Sequence, residues 1–346
     1  MADVTPHAAA IAGTGASLPG EPIDNTALGE FLGVAPEWIS RFVGTEQRHL
    51  AMDLKTGEVY RSLADMATDA ALEALDTAET APGALDFVVM GTATPDELMP
   101  ATVNHVADRL GVEHIPTYQV QSGCAGAVQA LSLAERLLTL PGHTTGLVIG
   151  GETCVKHCVT GRSPGEIGSS ELVNYMLFGD GAGAAVLTGR PEPGDLRIRA
   201  ILNQFTGAGK PAGQTVRWFG QADRDSGEPP FSEDYKAIEE RVPEMAAEIL
   251  WQLLETTGWR PEDVGHVLPP QLSGRMTPRI TERLALPAAR EVNCVHQTGN
   301  NANALPFLQL DRLMRKEDPE SIGTVVGIAV ESSKWLKAGF ALERQE

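Results

Sequence analysis

Cysteine is scarce in this sequence. Four residues, Cys124, Cys154, Cys158 and Cys294, are spread over 346 positions. That is too few to staple a protein of this size through disulfides, so a reducing cytoplasm is the expected compartment. Cys154 and Cys158 stand close together, but no second Cys or His pair follows at ligand spacing, which excludes a zinc site and leaves no metal expected. Basic residues are few as well: 27 Lys and Arg stand against 46 Asp and Glu, a formal net charge of −19. Nucleic-acid binders need a basic face and anionic membrane surfaces attract basic segments, so neither is an expected partner. The charge itself serves solubility. No run approaches the roughly 18 apolar residues of a membrane span. The opening Met1-Ala2-Asp3-Val4-Thr5 has neither the basic start nor the apolar stretch of a signal peptide.

What is present is an ordinary globular composition, 42% hydrophobic and 21% charged, long enough for two domains or one large one. Strand-like and helix-like stretches alternate: Val88 to Met90 a strand, Ala101 to Leu110 a helix, Thr117 to Val120 a strand, Ala125 to Leu138 a helix, Gly146 to Gly150 a strand. Such alternation predicts an α/β architecture with helices packed on sheets. The second half replays the first. Asp86 to Met90 aligns with Val264 to Leu268, Met99 to Leu110 with Met276 to Leu286, Tyr118 to Cys124 with Asn293 to Asn300, and Leu147 to Glu152 with Val326 to Glu331. Either one βα unit occurs twice and the fold is a layered pseudo-dimer, or two α/β halves share patterning by chance. The loop-like run Gly189-Arg190-Pro191-Glu192-Pro193-Gly194 divides the chain into halves 1–190 and 191–346. Gln204 to Pro230 interrupts the rhythm with clustered Gly, Pro and Asp and reads as a long loop, either functional or a surface insertion.

Cys124 lies in Val120-Gln121-Ser122-Gly123-Cys124-Ala125-Gly126-Ala127, where a strand ends, a glycine turn follows and a small-residue helix begins. A sulfur at a helix N-terminus gains from the partial positive charge there, which favours thiolate, and free N–H groups beside it can hold an oxyanion. From local context alone a buried structural cysteine fits equally.

Eight pieces in order resemble the β-ketoacyl-acyl-carrier-protein synthase III family of the thiolase superfamily: Pro36-Glu37-Trp38-Ile39 with Gly44-Thr45-Glu46-Gln47-Arg48; Asp65-Met66-Ala67; Thr92-Ala93-Thr94-Pro95-Asp96 with Pro100-Ala101-Thr102; the Cys124 turn; Gly150-Gly151-Glu152-Thr153; Phe178-Gly179-Asp180-Gly181-Ala182-Gly183-Ala184; Pro261-Glu262-Asp263; and Thr298-Gly299-Asn300. The resemblance implies a thiolase-like five-layered αβαβα fold of two pseudo-symmetric halves, a homodimer, and an acyl thioester on Cys124 drawn from an acyl-CoA or an acyl-carrier protein, with no resident cofactor. An acidic body repels an acidic carrier, so either donor would need a local basic mouth that the sequence does not reveal.

Departures from that pattern matter more than the matches. The family's decarboxylating His falls in a Pro-His-Gln-Ala-Asn run; here the run is Pro269-Pro270-Gln271-Leu272-Ser273. Pro270 offers neither a side-chain donor nor an N–H, and losing one oxyanion donor costs on the order of 10²–10³ in rate. Asn300 stays, but its imidazole partner does not. A different imidazole, His296, lies in the Asn300 loop and is the expected general base or activator of Cys124. Glu331, followed by Ser332 and Ser333 where the family has a glycine-rich loop, is expected to orient it. The Cys124 N–H is the oxyanion donor that survives these changes. The substrate wall is expected from Pro270, Ser332 and Ser333, and from Trp38, Arg41 and Phe42, where the family holds the CoA nucleotide and where Phe42 replaces its Arg.

The set Cys124, His296, Glu331 and Asn300 resembles a side branch that tailors polyketides and antibiotics by moving acyl groups, malonyl types included, to oxygen or nitrogen acceptors. A hydroxyl acceptor needs a base but no enolate machinery. The expected activity is therefore transfer of an acyl group from Cys124 to a small hydroxyl or amine acceptor. A decarboxylating synthase and a binding subunit of a heterodimeric synthase are the alternatives.

Overall fold

Phe87-Val88-Val89-Met90-Gly91-Thr92 is buried at every position, and a strand without a polar face belongs in a parallel sheet covered on both sides. The computed structural model, which describes residues 9–157, 169–218, 227, 231–317 and 321–345, builds that sheet around it. The first half supplies β1 (Ala10–Ser17), β2 (Ile23–Asp24), β3 (Gln47–Arg48), β4 (Phe87–Thr92), β5 (Thr117–Gln121), β6 (Thr145–Glu152) and β7 (Gly181–Thr188). The second supplies β8 (Leu196–Phe205), β9 (Gln214–Val216), β10 (Phe231–Glu233), β11 (His266–Leu268), β12 (Arg290–Glu291), β13 (Thr324–Glu331) and β14 (Leu336–Arg344). The helices are α1 (Asn25–Leu32), α2 (Pro36–Val43), α3 (Leu63–Thr77), α4 (Thr102–Leu110), α5 (Gly126–Leu137), α6 (Ser169–Leu177), α7 (Tyr235–Thr257), α8 (Met276–Leu284), α9 (Val295–Thr298) and α10 (Leu305–Lys316).

The strand order β12-β11-β13-β14-β8-β1-β7-β6-β4-β5 reads the same architecture outward in both directions. In each half a central strand, β4 or β11, runs parallel to its two neighbours. The next strand inward, β7 or β14, returns antiparallel. The two sets pair through β1 and β8 at Ala10–Arg197 and Ile11–Leu196. Phe87 and His266, Gly126 and Leu305, and Thr145 and Thr324 open matching elements at one constant spacing. That spacing carries Cys124 onto Asn303 rather than Asn300, so the aligned pair Tyr118 to Cys124 and Asn293 to Asn300 is out of register. The cause is local: β12 is two residues long and α9 is inserted after it.

Three apolar cores make five layers. Helices α3 and α4 cover the outer face of the first sheet set through Met66, Ala70, Val103 and Val106 against Val88, Met90 and Ile149. Helices α5 and α10 lie between the two sets, with Val128, Leu131, Phe307 and Leu310 packed on Phe87 and Val148 from one set and Val325 and Phe340 from the other. Helices α7 and α8 close the outer face of the second set through Ile249, Leu253 and Ile280 on Val267, Val326 and Ile328. This is the thiolase-like αβαβα arrangement expected from the resemblance. Part of the expected Gln204–Pro230 loop is in fact ordered pairing, because β8 extends to Phe205 and β9 pairs antiparallel with β10. Cys158 and residues 219–226 and 228–230 of that stretch lie outside the described residues. Among the described residues no helix is long and apolar enough to cross a membrane, and no group of three His, Cys, Asp or Glu is placed to hold a metal.

Candidate active site

The turn that carries Cys124 is built from both halves. Strand β5 ends at Gln121 and α5 begins at Gly126 with no side-chain cap of its own. A helix start needs acceptors for its first N–H groups, and Asn303, from the opposite half, provides one: its Oδ1 accepts from Ala127 N at 2.7 Å while its Nδ2 donates to Ser122 O at 2.8 Å. Two glycines in this turn let those partners approach closely. A Cβ on Gly126 would stand 2.7 Å from Asn303 Oδ1, and one on Gly123 would stand 2.9 Å from the Glu331 carboxyl carbon.

Cys124 lines two cavities. The larger, of about 210 Å³, is walled by Phe42, Leu177, Phe178, Val242, Leu272, Met276 and Val330, with Gln214, Glu233, Tyr235, Glu239, Ser273, Arg275, Arg279, Asn300 and Ser332 as its polar groups. The smaller, of about 30 Å³, is lined by Pro269, Pro270, Gln271, Leu272, Asn300, Leu305 and Ile328 among others. Pro270 therefore presents a hydrocarbon ring to the same small space as the thiol and Asn300. Its neighbour Gln271 is committed elsewhere, its Oε1 accepting from Cys294 N at 2.8 Å and Val295 N at 2.7 Å.

The electrostatics overturn the expected thiolate. Burial first, and then the carboxylates of Glu331 and Glu152 with a further contribution from Glu233, push the Cys124 thiol up to about 12. A helix start favours thiolate only where its field is not opposed, and here three carboxylates oppose it. Glu331 Oε2 accepts from Ser122 Oγ at 2.7 Å, and Ser333 Oγ donates to Oε1. Glu152 is enclosed: it accepts from Ala93 N at 2.9 Å, from Thr92 Oγ1 at 3.3 Å, and from Thr94 and Asn303. Burial holds its carboxyl above the usual range despite those bonds.

His296 does not join this group. Its Nδ1 is 2.9 Å from the Gly44 carbonyl oxygen, its own carbonyl accepts from Glu46 N at 2.9 Å, and it is not among the described residues lining either cavity. The ring pins α9 to the chain leading into β3. The expected Cys124–His296–Glu331 relay is corrected accordingly: Glu331 stands under the Cys124 turn with Ser122 and Ser333 as partners, and the imidazole is engaged elsewhere. Asn300 does face both cavities. Its Oδ1 accepts from Ala302 N at 3.0 Å, while its Nδ2 makes only a long 3.4 Å contact with Leu272 O.

Of the expected wall, Phe42 and Ser332 line the larger cavity and Pro270 the smaller. Trp38 stacks on Phe42 one turn later in α2, ring centroids 5.0 Å apart and nearly parallel at 6°, both exposed. Arg41 contributes its carbonyl to Arg275 Nη1 at 3.2 Å. The basic mouth that the net charge obscures is Arg275 with Arg279, beside Phe42. The spacing Arg275, Arg279, Arg283 along one helix face is the signal that would have found it. Gln214, Glu233 and Tyr235 also escaped sequence reasoning: Gln214 falls in the stretch Gln204 to Pro230 that reads as loop, and Glu233 and Tyr235 follow it without a motif of their own.

Residues 118–203 match the family described as 3-oxoacyl-[acyl-carrier-protein] synthase III, and residues 254–331 match its C-terminal region. The β-ketoacyl-[acyl-carrier-protein] synthase III 3 of Streptomyces coelicolor is 31% identical over 310 residues, covering 88% of either chain. The corresponding synthase of Coxiella burnetii is 30% identical, covering 89% of this chain and 90% of the other. Among solved structures, the tetronic acid condensing enzyme AbyA1 superposes with a TM-score of 0.92 at 46% identity, covering 97% of this chain and 99% of that one. The synthase III of Pseudomonas aeruginosa gives 0.82 at 26% identity, over 98% of this chain and 99% of that one.

Proposed function

Because the chain belongs to the 3-oxoacyl-[acyl-carrier-protein] synthase III family, we propose that it loads an acyl group onto Cys124 from a thioester and transfers it, without decarboxylation, to the hydroxyl of a second thioester-borne fragment. The observation that carries this reading is the composition of the Cys124 cavities: Pro270 and Asn300 stand there with carboxylates, and no imidazole lines them among the described residues. Decarboxylation of a malonyl unit needs paired donors on the developing enolate oxygen. A hydroxyl needs only a base and an electrophile held within reach.

The likeness to AbyA1 supports one product class. A tetronic acid is a five-membered lactone carrying an enolised ketone. Assembled from two fragments, it requires one C–O bond, to an acyl carbon, and one C–C bond, to a thioester carbonyl. A 3-oxoacyl group on Cys124 supplies the acyl carbon and an already acidic methylene, so no CO₂ need be lost. A 2-hydroxyacyl thioester supplies the hydroxyl and the second carbonyl. The Cys124 N–H and Asn300 Nδ2 hold the acyl oxygen, and Arg275 and Arg279 meet the phosphate of a pantetheine arm at the mouth. The donor is a substrate, no resident cofactor is required, and the enzyme works as a homodimer.

The test is incubation with acetoacetyl-N-acetylcysteamine followed by lactyl-N-acetylcysteamine. A Cys124 adduct of full acetoacetyl mass, then a released product joined through oxygen, is expected. CO₂ release from a malonyl thioester with carbon–carbon bond formation alone would establish the decarboxylating synthase instead, and no adduct with any thioester would establish a binding subunit.

A further inference from the structure

The proposed transfer needs a group to receive the acceptor's proton, and His296 is not placed to do so. We infer that Glu233 is that base: it takes the hydroxyl proton as the oxygen attacks the acyl carbon on Cys124 and returns it to the departing sulfur. This rests on the hydroxyl-transfer reading above. In the step, the acceptor O–H bond breaks toward a Glu233 oxygen, a C–O bond forms, and the C–S bond breaks with its electron pair on Cys124. The carboxylic acid then protonates the thiolate, restoring thiol and carboxylate with no outside reagent.

The placement is specific. Glu233 ends β10, paired in register with Gln214 on β9, and both line the cavity that Cys124 lines. Gln214 Nε2 donates to Glu233 Oε1. Tyr235, which begins α7, also interacts with the carboxylate and reaches Asn174 Oδ1 at 3.1 Å. These contacts orient the group while its charge acts on the sulfur. The other charged groups facing this space are Glu239 from α7 and Arg275 and Arg279 from α8 and its start. Burial raises the Glu233 carboxyl from 4.5 to about 7, opposed by its bonds to Tyr235 and Gln214. A base is most effective when its pKa lies near the working pH. Its ionised form and a neutral thiol therefore coexist near neutrality, as the returning proton requires.

The experiment preloads Cys124 with acetoacetyl-N-acetylcysteamine, removes excess reagent, and chases the adduct with methyl lactate or with hydroxylamine, following intact mass. Methyl lactate needs its proton removed, whereas hydroxylamine attacks without a base. Glu233→Gln is expected to slow the methyl lactate chase by roughly 10²-fold or more and the hydroxylamine chase by no more than a few-fold. Glu233→Asp should recover part of the loss. In the unaltered protein the methyl lactate rate should climb with pH through about 7, and Glu233→Gln should lose that limb. A Glu233→Gln protein that releases to methyl lactate at the unaltered rate overturns the role of Glu233 alone. Equal loss with both chases overturns it in favour of a packing role. An unaltered protein that releases to hydroxylamine but never to methyl lactate overturns the hydroxyl-transfer reading itself.

Discussion

Replacing Glu331 with Gln should make Cys124 more reactive, although Glu331 lies directly beneath the catalytic turn. The thiol is pushed from 9.0 to about 12 by burial first and by the Glu331 carboxylate second. At pH 8 such a group is about 10⁻⁴ ionised, against about 10⁻¹ for an ordinary thiol, since each unit is a tenfold change. Glu331 presses on the peptide just before the cysteine, so a Cβ on Gly123 would stand 3.1 Å from its Oε1. Two charges about 5 Å apart at an effective dielectric near 20 interact by about 3 kcal/mol, which bounds the carboxylate's share at about two units. Glu331→Gln keeps the shape and can still meet Ser122 and Ser333 while losing the charge. Alkylation of Cys124 by iodoacetamide at pH 8 should then accelerate by about 10- to 100-fold, read by peptide mass against Cys154 and Cys294 as internal references. An unchanged or slower rate would refute the claim that carboxylate repulsion holds this thiol neutral. The same variant separates two uses of Glu331: if alkylation rises while acylation by acetoacetyl-N-acetylcysteamine falls, the carboxylate accepts the thiol proton during loading.

Pro270→His puts an imidazole into the small cavity shared by Cys124 and Asn300; CO₂ release from a malonyl thioester, followed by trapping, should rise at least about 10-fold, in line with the worth of one oxyanion donor, and no rise would mean Pro270 does not occupy the enolate position. Arg48 is wholly buried and donates to Asn25 Oδ1 at 2.7 Å and to Met176 O at 3.0 Å; Arg48→Leu strands those acceptors and should cost about 3 kcal/mol in urea unfolding, whereas a cost under about 1 kcal/mol would show that they find other partners. Burial raises the Asp180 carboxyl from 3.8 to about 7 even though it accepts from Ala51 and Val155 N–H groups. Between those values the folded state holds a proton the unfolded chain has released, so stability contributed below about pH 4 should be lost as pH climbs through 7. Thermal melts across that window should show a declining midpoint, and Asp180→Asn should flatten the decline; a midpoint that rises with pH equally in both proteins would refute it.

The parts of this fold that show in the sequence are those whose cause is local or repeated. Strand β4 announces itself because Val88-Val89-Met90 is a continuous apolar run, which suits the middle of a sheet. The two halves announce themselves because the same strand–helix unit must bury the same faces twice. Cys124 stands out because a glycine turn before a run of small residues is a local pattern. Its ionisation state is not local. Glu331 comes from β13 and Glu152 from β6, and nothing in the residues around Cys124 reports that their carboxylates converge there. His296 shows the same limit from the other side. It lies four residues before Asn300, yet its ring is claimed by the carbonyl of Gly44, a contact across 252 positions. The hairpin bearing Gln214 and Glu233 was hidden because short strands flanked by Gly and Pro read as loop until their pairing is seen.

A neutral thiol amid carboxylates looks like a defect in an enzyme that must form a thioester, but it suits the second half of the reaction. The acyl group has to leave the sulfur for an oxygen, and a thiolate with a raised pKa is the poorer leaving group. That cost is offset if the expelled sulfur is protonated as it departs. The cavity holds the means, since Glu233 titrates near 7 while the sulfur titrates near 12. Proton transfer from the one to the other is downhill, because burial and the remaining carboxylates hold the thiol in its protonated form. In such a site, substituting an imidazole for Glu233 would be expected to restore base strength. With its charge positive rather than neutral after proton uptake, it would also stabilise the expelled thiolate, and Glu233→His should therefore transfer to methyl lactate while retaining less acyl-Cys124 at equilibrium than the unaltered protein, read by intact mass.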